Sequence, residues 1–378
     1  MTLKFLPASF VRGGTSNGLI LNLKDLPSSD PTRWQPILAS AMGSPDPSGR
    51  QLNGIGSGVS STSKVCIVSK STREDCDVEF TFVQVGIKDG KLDLAGNCGN
   101  MSSIVGPWAW NEGLLKVADQ ERKDENGKAE RIAKVRILNT NTSKVIHAEF
   151  PITDEGAYNP FGDYAIDGVP GTGSRITLKF IDPAGAKTGK ALPTGNPVDT
   201  MRLSDGTEIR ASLVDVANPG VFVLASDLDL PGDIEPATLE ADQNIMTRLE
   251  EIRQTGAKMM GMDPNAQTVP KIVLVSRPEV EAANSGIHIV CRALSMQQPH
   301  KAVPLTLALN LGAACRMSGT LPAMTAVNAE GRESLTIAHA SGKLEVGSVF
   351  KDGQIESALL HRTARVLMKG DVFYSAPA

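Results

Sequence analysis

The chain has 378 residues, 41% of them hydrophobic and 21% charged, with a formal net charge of −4. That length exceeds one ordinary core and fits two domains. Mild acidity without a basic block, and only 4% aromatic residues, argue against a nucleic-acid surface, and no apolar run is long enough to span a membrane.

In chain order, residues 3–11 read as a first strand, followed by the turn Arg12-Gly-Gly14-Thr15-Ser16-Asn17-Gly18 and a second strand, 19–23. The amides of such a turn, with Arg12, Thr15 and Ser16 beside them, can hold a carboxylate. The alternative is a plain glycine turn with Arg12 in a structural ion pair. Residues 31–42 show helical spacing, with Ser29 or Asp30 as N-cap and Pro31 in the first turn. A Gly/Ser loop, residues 54–63, then delivers Lys64 to the start of a Val/Ile strand. Its glycine spacing fits neither nucleotide-binding pattern. Lys64 is a candidate general base if burial or neighbours lower its pKa, and otherwise a solvated strand-end lysine.

Alternation predicts a strand over 78–85, and another falls near 90–94. The segment Gly96-Asn97-Cys98-Gly99-Asn100-Met-Ser102-Ser103 reads as a tight turn feeding a buried helix that runs to about Leu115. A cysteine at such a start faces free N–H groups and the positive end of the helix dipole, both of which favour the thiolate. The alternative is a small buried core cysteine. The charged stretch 119–130 reads as a solvated loop with a turn at Asn126-Gly127, and 133–139 and 144–150 as hairpin strands.

The second part repeats this logic. Strands are expected at 175–181, 208–214 and 221–224, a helix over 242–260, strands at 271–276 and 287–291, a buried helix over 305–317, and closing strands at 333–338, 342–349 and 354–360. Two halves, each with mixed strands around a central apolar helix, suggest a duplicated architecture. The expected division is 1–155, with 358–378 packing back on it, and 156–357. The five cysteines, Cys66, Cys76, Cys98, Cys291 and Cys315, are odd in number and widely spread, which suggests reduced thiols. With no secretory or transit pattern at the N-terminus, a cytoplasmic setting is expected. No Cys/His pairs stand at zinc spacing, so no metal site is expected.

The blocks Arg12 to Gly18, Gly56 to Val65 and Gly96 to Asn100 resemble those of the PrpF family, which includes methylaconitate, aconitate and methylitaconate isomerases and 4-oxalomesaconate tautomerases. Further blocks agree in order: 168–174, 192–196, 218–222, His300-Lys301-Ala302, His339-Ala-Ser341-Gly342 and 362–368. The resemblance implies an α+β, diaminopimelate-epimerase-like fold: two pseudo-symmetric domains, each with mixed strands wrapped around a central helix, and a site in the cleft between them. It implies chemistry without a cofactor, and it matches Lys64 and Cys98 to the family's acid/base lysine and cysteine. Asn17 stands where the family usually has lysine, Ser57 where glycine is common, and Ala340 where proline is usual, departures that bear on the substrate more than on the reaction. A second catalytic cysteine in an Ala-Cys-Gly-Thr-Gly context is missing at the second central helix, which disfavours epimerase chemistry.

The implied reaction is a 1,3-allylic proton shift in an unsaturated di- or tricarboxylate such as aconitate or methylaconitate. Lys64 and Cys98 would transfer the proton, with either one as base. Substrate-binding candidates are Arg12, Gly14, Thr15, Ser16, Asn17, Ser60, Thr62, Ser63, Asn97, Gly99, Asn100, Ser102, His300, Lys301, His339 and Ser341. The alternatives are a keto–enol tautomerase of the 4-oxalomesaconate type and a non-catalytic carboxylate-binding protein. The partner expected is the small polycarboxylate alone, without nucleic acid or membrane; a homodimer is left open.

Overall fold

The computed structural model describes residues 2–115, 120–123, 129–332 and 334–376. The chain divides into two compact units, Met1–Leu178 with His361–Ala378, and Lys179–Leu360. The first unit extends past the expected residue 155 for a definite reason. Tyr158 donates from its hydroxyl to Ala364 O (3.0 Å), Ser174 donates to the Tyr158 oxygen (3.1 Å), and Thr177 bonds the His361 ring (3.0 Å).

The first unit contains β1 (Thr2–Gly13), β2 (Ser16–Asn22), α1 (Gln35–Met42), β3 (Lys64–Lys70), β4 (Val78–Val85), β5 (Leu92–Asp93), α2 (Gly99–Asn111), β6 (Gln120–Lys123), β7 (Ala129–Asn139) and β8 (Lys144–Pro151). The last strand of the chain, Ala364–Ala376, pairs antiparallel with β1 along its length. From that strand the ladder runs through β1, β2, β3, β4, β7 and β8, its senses being antiparallel, antiparallel, parallel, antiparallel, parallel and antiparallel. Helix α2 is wrapped by β1, β2, β3, β4, β7, β8 and the last strand. On intrinsic propensity α2 is a poor helix: Gly106 and Pro107 together cost about 4 kcal/mol against alanine. Met101, Ile104 and Val105 are fully buried and Trp108 nearly so. At about 1.5–3 kcal/mol each, their burial outweighs the propensity cost. Helix α1 packs Leu38, Ala39 and Met42 into a second core with Leu19, Leu21, Val65, Val83 and Tyr374.

Several boundaries differ from the sequence reading; the buried helix expected over 305–317, for example, ends at Ala314. The helical segment expected at 31–42 divides into a 3-10 turn, Pro31–Arg33, capped by Asp30, and α1, whose first turn contains Pro36. Helix α2 ends at Asn111, with Gly113 at φ 66° just beyond it. In the charged stretch, Gln120–Lys123 forms a strand against Ala129–Ile132 instead of a loop; the expected turn at Asn126-Gly127 lies outside the described residues.

The second unit starts within β9 (Ile176–Ile181), continues with β10 (Asp199–Arg202), β11 (Glu208–Val216), β12 (Asn218–Leu224), α3 (Pro236–Ala241), α4 (Gln243–Met259), β13 (Lys271–Ser276), α5 (Val280–Asn284), β14 (Ile289–Ser295), β15 (Gln298–Pro299), α6 (Leu305–Ala314), α7 (Leu321–Thr325), β16 (Ser334–His339) and β17 (Gly342–Lys351), and ends within β18 (Gln354–Arg362), whose last two residues belong to the first unit. Its ladder runs β10, β11, β12, β13, β14, β16, β17 with the same sequence of senses as the first unit. In each unit a two-residue strand pairs with the fifth strand of the ladder, and the central helix follows it. Every residue of α6 is buried, and the helix lies against β11, β12, β16 and β17. The duplication suspected from the sequence is thus a duplication of topology. No described helix is long and apolar enough to cross a membrane.

Candidate active site

Lys64 opens β3, where it stands opposite Gly18 of β2 and opposite Gln84 of β4. Gly18 is fixed by sterics: a Cβ there would lie 2.3 Å from Lys64 O. Lys64 is only 8% exposed. Its Nζ donates to Gln84 Oε1 at 2.6 Å and lies 5.2 Å from the centre of the Phe82 ring. Burial lowers the lysine below its ordinary 10.5, and the opposing pull of Cys98 and then Cys66 is weaker. Cys66, two residues along the strand and fully buried, is pushed well above 9.0 by burial and by the charge of Cys98.

Cys98 is the N-cap of α2 and is half-buried, as the sequence reading expects for its position. Its carbonyl accepts Ser102 N (2.9 Å) and Ser102 Oγ (3.1 Å), and Asn97 Oδ1 accepts from Ser102 Oγ at 3.2 Å. The N–H groups of Gly99, Asn100 and Met101 precede the first intrahelical bond and have no partner within the helix. Lys64 and Cys98, 34 residues apart in sequence, therefore lie within electrostatic reach of each other at the mouth of a helix.

Asn100 ties the glycine turn to this helix start. Its Nδ2 donates to Thr15 Oγ1 (3.0 Å) and its Oδ1 accepts from Arg362 Nε (3.2 Å). Gly14 adopts φ 52°, and a Cβ on it would lie 2.1 Å from Asn100 Oδ1, so only glycine fits. Arg12 clamps the turn from its own strand by donating to Gly14 O (2.9 Å) and Thr363 O (3.0 Å). The sequence alternative for Arg12, a structural ion pair, becomes a pair of bonds to backbone carbonyls. Asn17 faces Arg12 across the hairpin, and Ser16, 3% exposed, opens β2.

The hydroxyls before Lys64 are more committed than the sequence suggests. Ser63 Oγ donates to Val85 O (2.9 Å) and accepts from Gln51 Nε2 (2.8 Å), so it serves the fold. Thr62 Oγ1 accepts from Ser57 (2.6 Å) and donates to Val59 O (3.0 Å). Ser60 contributes its carbonyl, which accepts from Gln84 Nε2 at 3.1 Å.

The other four candidates belong to the second unit and gather in one place there. Ser341 N donates to Lys301 O (2.9 Å), Ser341 Oγ lies 3.4 Å from His339 Nδ1, and His300 Nδ1 lies 2.6 Å from Ala302 O.

Two residues escaped the sequence reading. Gln84, 3% exposed, is legible only once β3 and β4 are in register. Arg362, 5% exposed, bonds Asn100 Oδ1 and His361 O, and no carboxylate pairs with it among the described residues. Burial lowers its guanidinium to about 10, still a full cation at neutral pH.

The PrpF protein family model matches residues 3–375. The chain is 37% identical to 3-methylitaconate isomerase of Eubacterium barkeri, covering 97% of each. It is 36% identical to 4-oxalomesaconate tautomerase of Pseudomonas putida, covering 97% of this chain and 95% of that one. A crystal structure of methylitaconate-delta-isomerase superposes with a TM-score of 0.76 at 36% identity, covering 99% of this chain and 96% of that one. The architecture is the α+β, diaminopimelate-epimerase-like one that the sequence blocks imply. With the match running from the first strand to the last, and full-length relatives above 30% identity, the chain belongs to the PrpF family and is an isomerase.

Proposed function

We propose that this isomerase moves a proton between the two ends of an allylic unit in an unsaturated di- or tricarboxylate, without a cofactor, using Lys64 and Cys98. The observation that carries the reading is a buried amine, held by a neutral acceptor, within electrostatic reach of a half-buried thiol at a helix N-terminus. Burial lowers the Lys64 pKa below its ordinary value, which supports Lys64 as the base and leaves Cys98 as the acid. Lys64 takes the allylic proton, the C–H pair moves into the carbon skeleton, and the resulting dienolate spreads its charge onto the conjugated carboxylate. The Cys98 thiol delivers a proton to the far carbon, and the double bond is left one position along. Transfer from the Lys64 ammonium to the Cys98 thiolate then restores both groups.

The enolate charge requires fixed donors. The α2 amides of Gly99, Asn100 and Met101 and the Arg362 cation supply them locally, in a chain whose net charge of −4 gives a polyanion no long-range attraction. The same machinery run on an α-keto acid gives a keto–enol tautomerase, a second reading favoured by the likeness to the Pseudomonas putida tautomerase.

A panel of cis-aconitate, trans-aconitate, methylated itaconates and 4-oxalomesaconate, followed by absorbance and proton NMR in deuterated water, tests the proposal. Turnover of at least one acid, with deuterium entering at the allylic carbons, is expected. No turnover across the panel, or isomerisation of an unrelated substrate class, overturns it.

A further inference from the structure

Gln84 is the neighbour of Lys64 that the proton-transfer scheme leaves unassigned. It stands directly opposite the lysine in the β3–β4 ladder and is almost fully buried. Its Nε2 donates to two backbone carbonyls, Ser60 O at 3.1 Å and Ser63 O at 2.9 Å. An amide whose two N–H bonds are both committed can turn only its oxygen the other way. That oxygen meets Lys64 Nζ at 2.6 Å. The orientation of the amide is therefore set by the backbone and does not depend on the lysine.

We propose that Gln84 is the positioning residue for Lys64: a neutral acceptor, locked by the loop 60–63, that fixes the amine without pairing its charge. The proposal rests on the reading of Lys64 as the base. An acceptor is needed because a four-carbon side chain otherwise samples many rotamers, and a proton-transfer group must be held. A carboxylate at the same distance would fix the amine equally well. In a dry site it would also hold the lysine as ammonium. The amide achieves the first without the second, and the Phe82 face supports the ammonium once a proton has been taken up. The titratable groups that act on Lys64 are Cys66 on its own strand and Cys98 at the start of α2. No Asp or Glu pairs with it among the described residues, so Gln84 is the position where one substitution changes the charge facing the amine.

The test is the pH dependence of kcat in Gln84→Glu and Gln84→Met, alongside Lys64→Ala. In Gln84→Glu the ascending limb should move up by about 1–3 pH units, the usual effect of an adjacent opposite charge. On that limb, activity should fall about tenfold per unit and recover at higher pH. In Gln84→Met the limb should not move up, kcat should fall at least tenfold at every pH, and KM should stay close to wild type. A folded Gln84→Glu whose limb superimposes on the wild type overturns the proposal. So does a folded Gln84→Met with wild-type kcat, which keeps the question decidable if the glutamate variant does not fold. A folded Lys64→Ala with wild-type turnover is a different failure, since it removes the base itself.

Discussion

The two units place a lysine at the same point of the same ladder and use it differently. Lys64 opens β3 opposite Gly18 across a parallel pair, and Lys271 opens β13 opposite Gly220 across a parallel pair. Both lysines are buried. Lys64 donates to a side-chain amide on the neighbouring strand, while Lys271 donates to the backbone carbonyl of Thr268 just before its own strand. The central helices diverge at the same place: α2 starts from Cys98 and α6 from Pro304. The second unit's thiols lie elsewhere, and burial disfavours their thiolates: Cys291 is pushed up to about 12 and Cys315 further. Doubling a topology thus does not double its chemistry. The proposed proton-transfer pair needs particular side chains at the ladder start and at the helix cap; the first unit has Lys64 and Cys98 there, and the second has Lys271 and Pro304.

The sharpest way to break this comparison is to mutate both lysines. Lys64→Ala and Cys98→Ala should each fold and lose at least ~10²-fold in kcat, the low end for general acid–base catalysis. Lys271→Met should keep kcat wherever circular dichroism shows it folded. Loss of kcat in a folded Lys271→Met, equal to that of Lys64→Ala, would make the units chemically equivalent.

A smaller effect concerns stability against pH. The folded value of Lys64 lies below its unfolded value of 10.5, so between the two the unfolded chain binds more protons. Stability should therefore rise with pH across that window and level off above it. In urea titrations at several pH values, Lys64→Met should lose this part of the slope; an unchanged slope would mean that burial does not penalise the ammonium. The smallest effect is at the cysteines. Iodoacetamide on the native protein should modify Cys98, with activity falling in step. Cys66, Cys76, Cys291 and Cys315, at 0, 4, 1 and 4% exposure, should stay protected, and Cys315→Ala should leave kcat unchanged. Equal labelling of Cys98 and Cys315 on tryptic mapping would erase the contrast.

Strong periodicity made much of the fold legible. The alternation over Val78–Val85 and the apolar run Lys271–Ser276 gave both strands to the residue, and the apolar run after Cys98 gave α2 its start. The short helices α3, α5 and α7 carry too few residues for a period to show. At the site, residue type and loop context pointed to Lys64, Cys98 and the glycine turn. What escaped depends on pairing. Gln84 is a buried polar residue placed opposite Lys64 only by the strand register, and Arg362, which the sequence shows only as the head of a family block, gains its place from its bond to Asn100. The Ser63 hydroxyl, a substrate-binding candidate on sequence, bonds Gln51 and Val85, partners that nothing in the sequence reveals.

The last strand carries a consequence for how the protein is made. Asn100 at the helix start bonds an arginine 262 positions later in the chain, and β1 has its long partner in Ala364–Ala376. All of Lys179–Leu360 must leave the ribosome before these partners exist. During synthesis the first unit therefore waits with one flank of β1 unpaired, while the second can close on its own residues. Contacts this distant are slow to form, and an open strand edge invites wrong pairing. The unit that carries Lys64 and Cys98, although first to emerge, is the last to be completed.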